Sequence, residues 1–377
     1  MSNSQAEPNW LDEGLPLPKA GLIWPWIATA TVLFSLGVWL LLPSLQENQA
    51  KIQSDGPTLV ASASPTLTAP TSQGTLNMLF VDSPASSFAT AAQGLDRLIR
   101  QGSQGKLSLS LHPSGLYAGK KLDELAIIEA VRSGKAQLGA VTCSPLANFS
   151  SDFEVFDLPF LFRDYEHADR VLMGPIGEKL LARLEQKGLV GLGTLEVGFR
   201  IFSSSVPLPT LAEFRGKRVR VMQSATSIRM ARQLGCEAVP SPVDKIYQMG
   251  KEGYIDAADR TYPTYWDFNL YEVQRYITDT RHSYTMKVIV MNKEAFDQLS
   301  EAERQSVRQA VRDIEKGQRE AQRAEDRRVK EECRKRGIQI YELTPQEMGQ
   351  FVEACRPLYE EYRKLRGSSL LDKVIDS

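Results

Sequence analysis

The sequence predicts an α/β protein of two domains built on mainly parallel sheets. From Leu76 onward, strand-like and helix-like segments alternate. The chain has 377 residues, 42% of them hydrophobic, which suits more than one core. It also reads as leaving one sheet after residues 189–197 and returning to it at 287–291, which brackets a second unit.

Residues 1–20 are expected to form a short cytoplasmic tail, and residues 21–43 a transmembrane anchor. Residues 21–42 hold no charge and are long enough to cross about 30 Å of hydrocarbon as a helix. Trp24, Trp26 and Trp39 lie toward its ends, where indoles favour the interface. A cleaved export signal has a shorter apolar core, about 7–15 residues, and no small-x-small site follows closely. Residues 44–75 are rich in Ser, Thr, Pro and Ala, have little to bury, and read as a flexible linker.

The first strand is expected at 76–81 and a helix at 88–101. Residues 107–112 alternate apolar and polar, as a strand does. A helix follows at 122–133, with Ile127, Ile128 and Val131 on its apolar face, then a short buried strand at 138–141. Further strands are expected at 189–197, 218–222 and 287–291, and a long helix at 300–336. Thr344 with Pro345 opens a last helix, to about residue 365. In open α/β sheets ligands bind beyond the carboxyl ends of strands. Here those ends are Thr142-Cys143, Gly198-Phe199-Arg200 and the residues after Arg220.

Composition excludes several functions. Net charge is −1, so no basic field points to nucleic acid. The mixed charges of 301–336 suit a solvated helix face. Cys143, Cys236, Cys333 and Cys355 are far apart, with no CxxC, and their pairing stays open. His112, His167 and His282 are isolated, so no metal or cofactor site is expected. There is no GxSxG and no Gly-rich phosphate loop; Gly174-Pro175-Ile176-Gly177 lacks the lysine of a P-loop. Catalysis is not expected.

From about residue 76 to 365 the sequence resembles the substrate-binding proteins of tripartite ATP-independent periplasmic (TRAP) transporters. The likeness is carried by His112-Pro113-Ser114-Gly115-Leu116, Phe156-Asp157-Leu158-Pro159-Phe160-Leu161-Phe162, Gly198-Phe199-Arg200, Gly216-Lys217-Arg218-Val219-Arg220-Val221 and Tyr271-Glu272-Val273-Gln274-Arg275-Tyr276. Each is weak alone; their order and spacing are specific. The resemblance implies a periplasmic-binding-protein-like clam-shell fold with hinge strands and long C-terminal helices. One α/β domain would hold 76–197 plus 282–320, the other 198–281 plus 321–377. It implies capture of a small organic acid on the periplasmic side of the cytoplasmic membrane, for delivery to TRAP membrane permease subunits. The N-terminal helix would anchor the chain there. A binding protein for an ATP-driven importer fits the 156–162 and 271–276 segments less well.

The resemblance assigns the substrate carboxylate to Arg220, 20 residues after Arg200. The residues agree. Arg220 faces opposite to two valines in an apolar strand, and a guanidinium donates bidentately to a carboxylate. The alternative is a structural ion pair with Glu196 or Glu213; for Arg200 it is a lock on the hinge. Thr142 stands where the family has an acid or amide. Lys245 and Ala257 replace a usual Glu and Gly, and Ala258-Asp259-Arg260 replaces a triplet ending in Asn. Asp259 and Arg260 are therefore candidates for ligand contact, with room for a second anionic group. Trp266 and Tyr265 are placed either to wall the cleft or to fill the core. The departures also leave open a membrane-tethered signalling or scaffold subunit that keeps the fold without tight ligand binding.

Overall fold

The computed structural model describes residues 74–377. The expected tail, anchor and nearly all of the linker lie outside these residues. Among the described residues no helix is long and apolar enough to cross a membrane.

Two sheets organise the chain. The first has the order β2 (Leu107–His112), β1 (Gly74–Leu79), β5 (Leu138–Thr142), β12 (Tyr284–Asn292), β6 (Leu189–Phe199). Its inner strands β5 and β12 are buried along their whole length, because helices cover both faces. Ile289 and Met291 point to one face, toward Phe88, Leu95 and Ile99 of the helix Ser87–Gly102. Val288 and Val290 point to the other, toward Ile127, Ile128 and Val131 of the helix Glu124–Arg132. This alternation is the two-residue period of a strand.

The second sheet has the order β13 (Gln339–Glu342), β11 (Tyr276–Asp279), β7 (Ile201–Ser204), β10 (Ala257–Arg260), β8 (Arg218–Val221), β9 (Glu237–Pro240). A two-stranded hairpin, β3 (Leu116–Tyr117) with β4 (Lys120–Lys121), stands apart.

The sheets are mixed, and not mainly parallel as expected. β12 runs antiparallel to β5 and β6, and β7 antiparallel to β10 and β11. The cause is the way the chain changes sheet. β6 runs straight into β7 through Arg200, and β11 runs into β12 through residues 280–283, so no helical crossover restores direction. The two crossings are paired: Arg200 N–H donates to Ser283 O at 2.7 Å, and His282 N–H to Arg200 O at 3.2 Å. Just before the first crossing, Gly198 lies opposite Thr285 and Glu196 opposite Met286, so Val197 bulges without a partner. Arg281 takes a φ of 45° in the second.

The long helix Glu301–Lys335 opens on a capping box of Ser300 and Glu303. Its first half packs Val307, Ala310 and Val311 on the first sheet, and Val329 and Cys333 join the second. The helix Pro345–Arg366 puts Phe351 and Leu358 on the second sheet's other face. The final helix Ser369–Ile375 returns to the helix Tyr165–Leu172, where Val374 O faces His167 Nε2 at 2.7 Å. All four cysteines are buried and unpaired.

Candidate functional site

The site forms where the crossings meet the ends of β5, β8 and β10. Arg220, 4% exposed, projects from β8. Its Nε donates to Ser241 O at 2.8 Å, Nη2 to the same carbonyl, and Nη1 to Asp259 O at 3.3 Å. These acceptors are backbone carbonyls. Among the described residues no carboxylate forms an ion pair with it. Glu196 is taken by Arg323 at 2.7 Å and by the Tyr284 hydroxyl at 2.8 Å. Glu213 is taken by the capping box at Thr210. Burial first, and then the nearby Arg200, draw the Arg220 guanidinium down to about 10, so it stays charged at neutral pH.

Arg200 is committed. Its Nε pairs with the Asp259 carboxylate, Nη2 donates to Asp259 O at 2.7 Å, and Nη1 to Thr285 Oγ1 at 3.2 Å. His282 Nε2 lies 3.3 Å from the same carboxylate, and its Nδ1 2.6 Å from Thr280 Oγ1. Burial pushes the Asp259 carboxyl up, but Arg200 and His282 outweigh it and hold it well below the usual range. Burial lowers His282, whose ring stacks on Phe202 at 4.2 Å.

Arg260 ends β10 and is fully buried. Nη1 donates to Ser203 Oγ at 2.8 Å and to Gln274 Oε1 at 2.9 Å, while Nε and Nη2 have no partner among the described residues. A buried guanidinium with idle donors is costly unless something else accepts from them.

The opposite wall comes from the first sheet. Thr142 donates its N–H and its hydroxyl to Glu124, at 2.7 and 2.8 Å. Lys287 on β12 lies 2.9 Å from Asp82 and 3.7 Å from Glu124. Burial lowers the Lys287 ammonium, but the two carboxylates win and raise it. Lys287, Glu124 and Asp82 were not singled out in the sequence. Lys287 is the one charged residue of β12, but only the strand's true start at Tyr284 places it inside the strand.

Between the walls lie two adjoining cavities. The inner one, about 50 Å³, is lined by Thr142, Arg200, Arg220, Arg260, Thr285 and Lys287, among others. The outer one, about 110 Å³, includes Lys121, Asp123, Glu124, Arg220, Asp244 and Asp267. The outer volume alone corresponds to several water positions, at roughly 10–15 Å³ each. At the mouth, Lys121 meets Asp244 at 2.9 Å.

Trp266 is not brought to this cleft. The helix Tyr262–Asp267 turns its indole toward Tyr271, 4.9 Å between centroids, and the Arg336 guanidinium lies 4.6 Å over the ring. Tyr265 is core, its hydroxyl donating to Gln274 O at 2.6 Å. Phe268 is the aromatic that lines both cavities.

Two sheets joined by paired crossing strands, with a charged cleft where they meet, define the periplasmic-binding-protein-like class. Residues 80–365 match the family described as bacterial extracellular solute-binding protein, family 7, and the chain belongs to that family. A relative from Escherichia coli (strain K12), the 2,3-diketo-L-gulonate-binding periplasmic protein YiaO, is 28% identical over 66% of this chain and 75% of its own. The C4-dicarboxylate-binding periplasmic protein DctP of Rhodobacter capsulatus is 27% identical over 78% of this chain and 88% of its own. Among solved structures, the sugar acid binding protein DctPAm from Advenella mimigardefordensis, in complex with galactonate, superposes with a TM-score of 0.77. It is 29% identical, covering 80% of this chain and 96% of that one. The protein is thus a solute-binding transport protein of the TRAP type and not an enzyme.

Proposed function

We propose that the chain captures a small organic carboxylate in this cleft and delivers it to the membrane subunits of a TRAP transporter. Arg220 forms the salt bridge with the carboxylate, and Arg200, locked to Asp259, holds the crossing strands in place. The observation that carries the reading is a charged, buried Arg220 without an acid partner among the described residues. A bound carboxylate would supply that missing charge. Named relatives bind diketogulonate and C4-dicarboxylates, and the solved structure holds galactonate.

Delivery takes place on the periplasmic side of the cytoplasmic membrane, with residues 21–43 as the tether. Residues 76–197 and 282–320 move as one lobe and the rest of the folded chain as the other, about the crossings near Val197 and Arg281. The signalling or scaffold reading rests on the N-terminal anchor and on the departures at Lys245, Ala257 and Arg260. Lys245 and Ala257 lie off the cleft lining and Arg260 lines it, so no observation favours that reading. Native mass spectrometry of the full-length chain tests the proposal. A co-purifying small acid, displaced by D-galactonate, is expected. A chain that carries no acid, and that no organic acid stabilises thermally, would refute it.

A further inference from the structure

The two cavities of the cleft differ in charge, and Arg220 stands between them. The inner one is lined by four cations, Arg200, Arg220, Arg260 and Lys287, against two acids, Asp82 and Glu124. The outer one is lined by four acids, Asp123, Glu124, Asp244 and Asp267, against Lys121 and Arg220. We propose that this polarity makes the site select hydroxy acids with a single carboxylate, held head-inward by Arg220 and Arg260, and reject terminal dicarboxylates. The inference rests on the reading that the cleft binds a carboxylate, and it names which kind.

The head position follows from unsatisfied donors. Arg260 is 0% exposed, yet its Nε and Nη2 donate to nothing among the described residues. The acid beside it, Asp259, is already taken by Arg200 and His282. A carboxylate in the inner cavity offers lone pairs to both Arg260 and Arg220. The first-sheet wall makes no competing demand there, because Lys287 has Asp82 and Glu124, and Glu124 has Thr142.

The tail then lies in the outer cavity. Asp267 is half-buried there, and no described cation forms an ion pair with it. Burial, Asp82 and Glu325 push its carboxyl up to about 7, against the weaker pull of Arg328. Asp244 is paired with Lys121 at 2.9 Å and lies 3.7 Å from Lys245. Asp123 caps the helix Glu124–Arg132 through the Ala126 N–H at 2.9 Å. Hydroxyl groups can donate to these carboxylates. A second carboxylate would meet them with like charge in a partly desolvated space, which disfavours it strongly.

The test is calorimetry on the full-length chain with two acids of equal carbon number, galactonate and galactarate, which differ in the terminal group. Galactonate is expected to bind at least about tenfold tighter, with a wider gap at pH 8 than at pH 6 as Asp267 ionises. Asp267→Asn is expected to narrow the gap several-fold, and Arg260→Gln to weaken both acids alike. Galactarate binding as tightly as galactonate would overturn the inference and leave carboxylate capture standing. Failure of both acids, and of shorter mono- and dicarboxylates, would overturn capture as well. A gap that Asp267→Asn leaves unchanged would remove Asp267, and with it the charge argument.

Discussion

Arg200 holds both the carboxylate and the backbone carbonyl of Asp259. The bond of Arg220 to Asp259 reaches only the carbonyl. On the proposed reading, one arginine locks the crossing and the other stays available to the ligand. Removing one member of a buried pair leaves an uncompensated charge, at a cost of about 3–5 kcal/mol. Asp259→Asn is therefore expected to lower the melting temperature of the ligand-free protein markedly. Thermal unfolding of Asp259→Asn beside Arg220→Ala checks this: Asp259→Asn should be the far less stable of the two.

Gly198 takes a φ of 109°, next to the Val197 bulge and the first crossing. A side chain resists that backbone more than contact does, since an added Cβ would meet Asp326 Oδ1 only at 3.7 Å. Gly198→Ala is expected to cost about 1–2 kcal/mol, readable as a lower denaturant midpoint. If the two lobes turn about this crossing, small-angle scattering of the parent chain should give a smaller radius of gyration with saturating ligand than without.

Asp326 on the long helix is pushed up to about 7 by burial, with Asp279 and Glu196 adding to it and Arg281 and Lys330 opposing. A carboxyl raised above its ordinary 3.8 binds its proton more tightly when folded. Its penalty is absent below about pH 4, grows as pH rises, and is complete above about pH 7. Asp326→Asn should raise the melting temperature by a few degrees at pH 8 and leave it nearly unchanged at pH 4. Equal effects at both pH values would contradict the assignment.

Much of this architecture is legible in the sequence, because long apolar runs and caps report local structure. The strand Leu107–His112 and the Ser300 and Thr344 helix starts follow from alternation and capping chemistry. The short strand β10, Ala-Ala-Asp-Arg, does not, since only its pairing with β7 and β8 makes it a strand. Arg220 stands out as a charge between two valines in the strand Arg218–Val221. Lys287 is likewise a charge among apolar residues, but the expected strand at 287–291 places it at an end, where a lysine is ordinary. The strand begins at Tyr284, which puts Lys287 inside it. Trp266 shows the opposite case: composition suits a cleft wall, and only the helix's rotation turns the ring to Arg336.

The central claim is that Arg220 holds the carboxylate of a captured organic acid. Calorimetry of the full-length chain with D-galactonate, for the parent protein and for Arg220→Ala, tests it most directly. Losing a buried charge partner of the ligand costs about 2–5 kcal/mol, so affinity should fall at least about thirtyfold. The variant should keep its cooperative unfolding, because Arg220 bonds only to backbone carbonyls. Parent-like affinity in a folded Arg220→Ala protein would contradict the account.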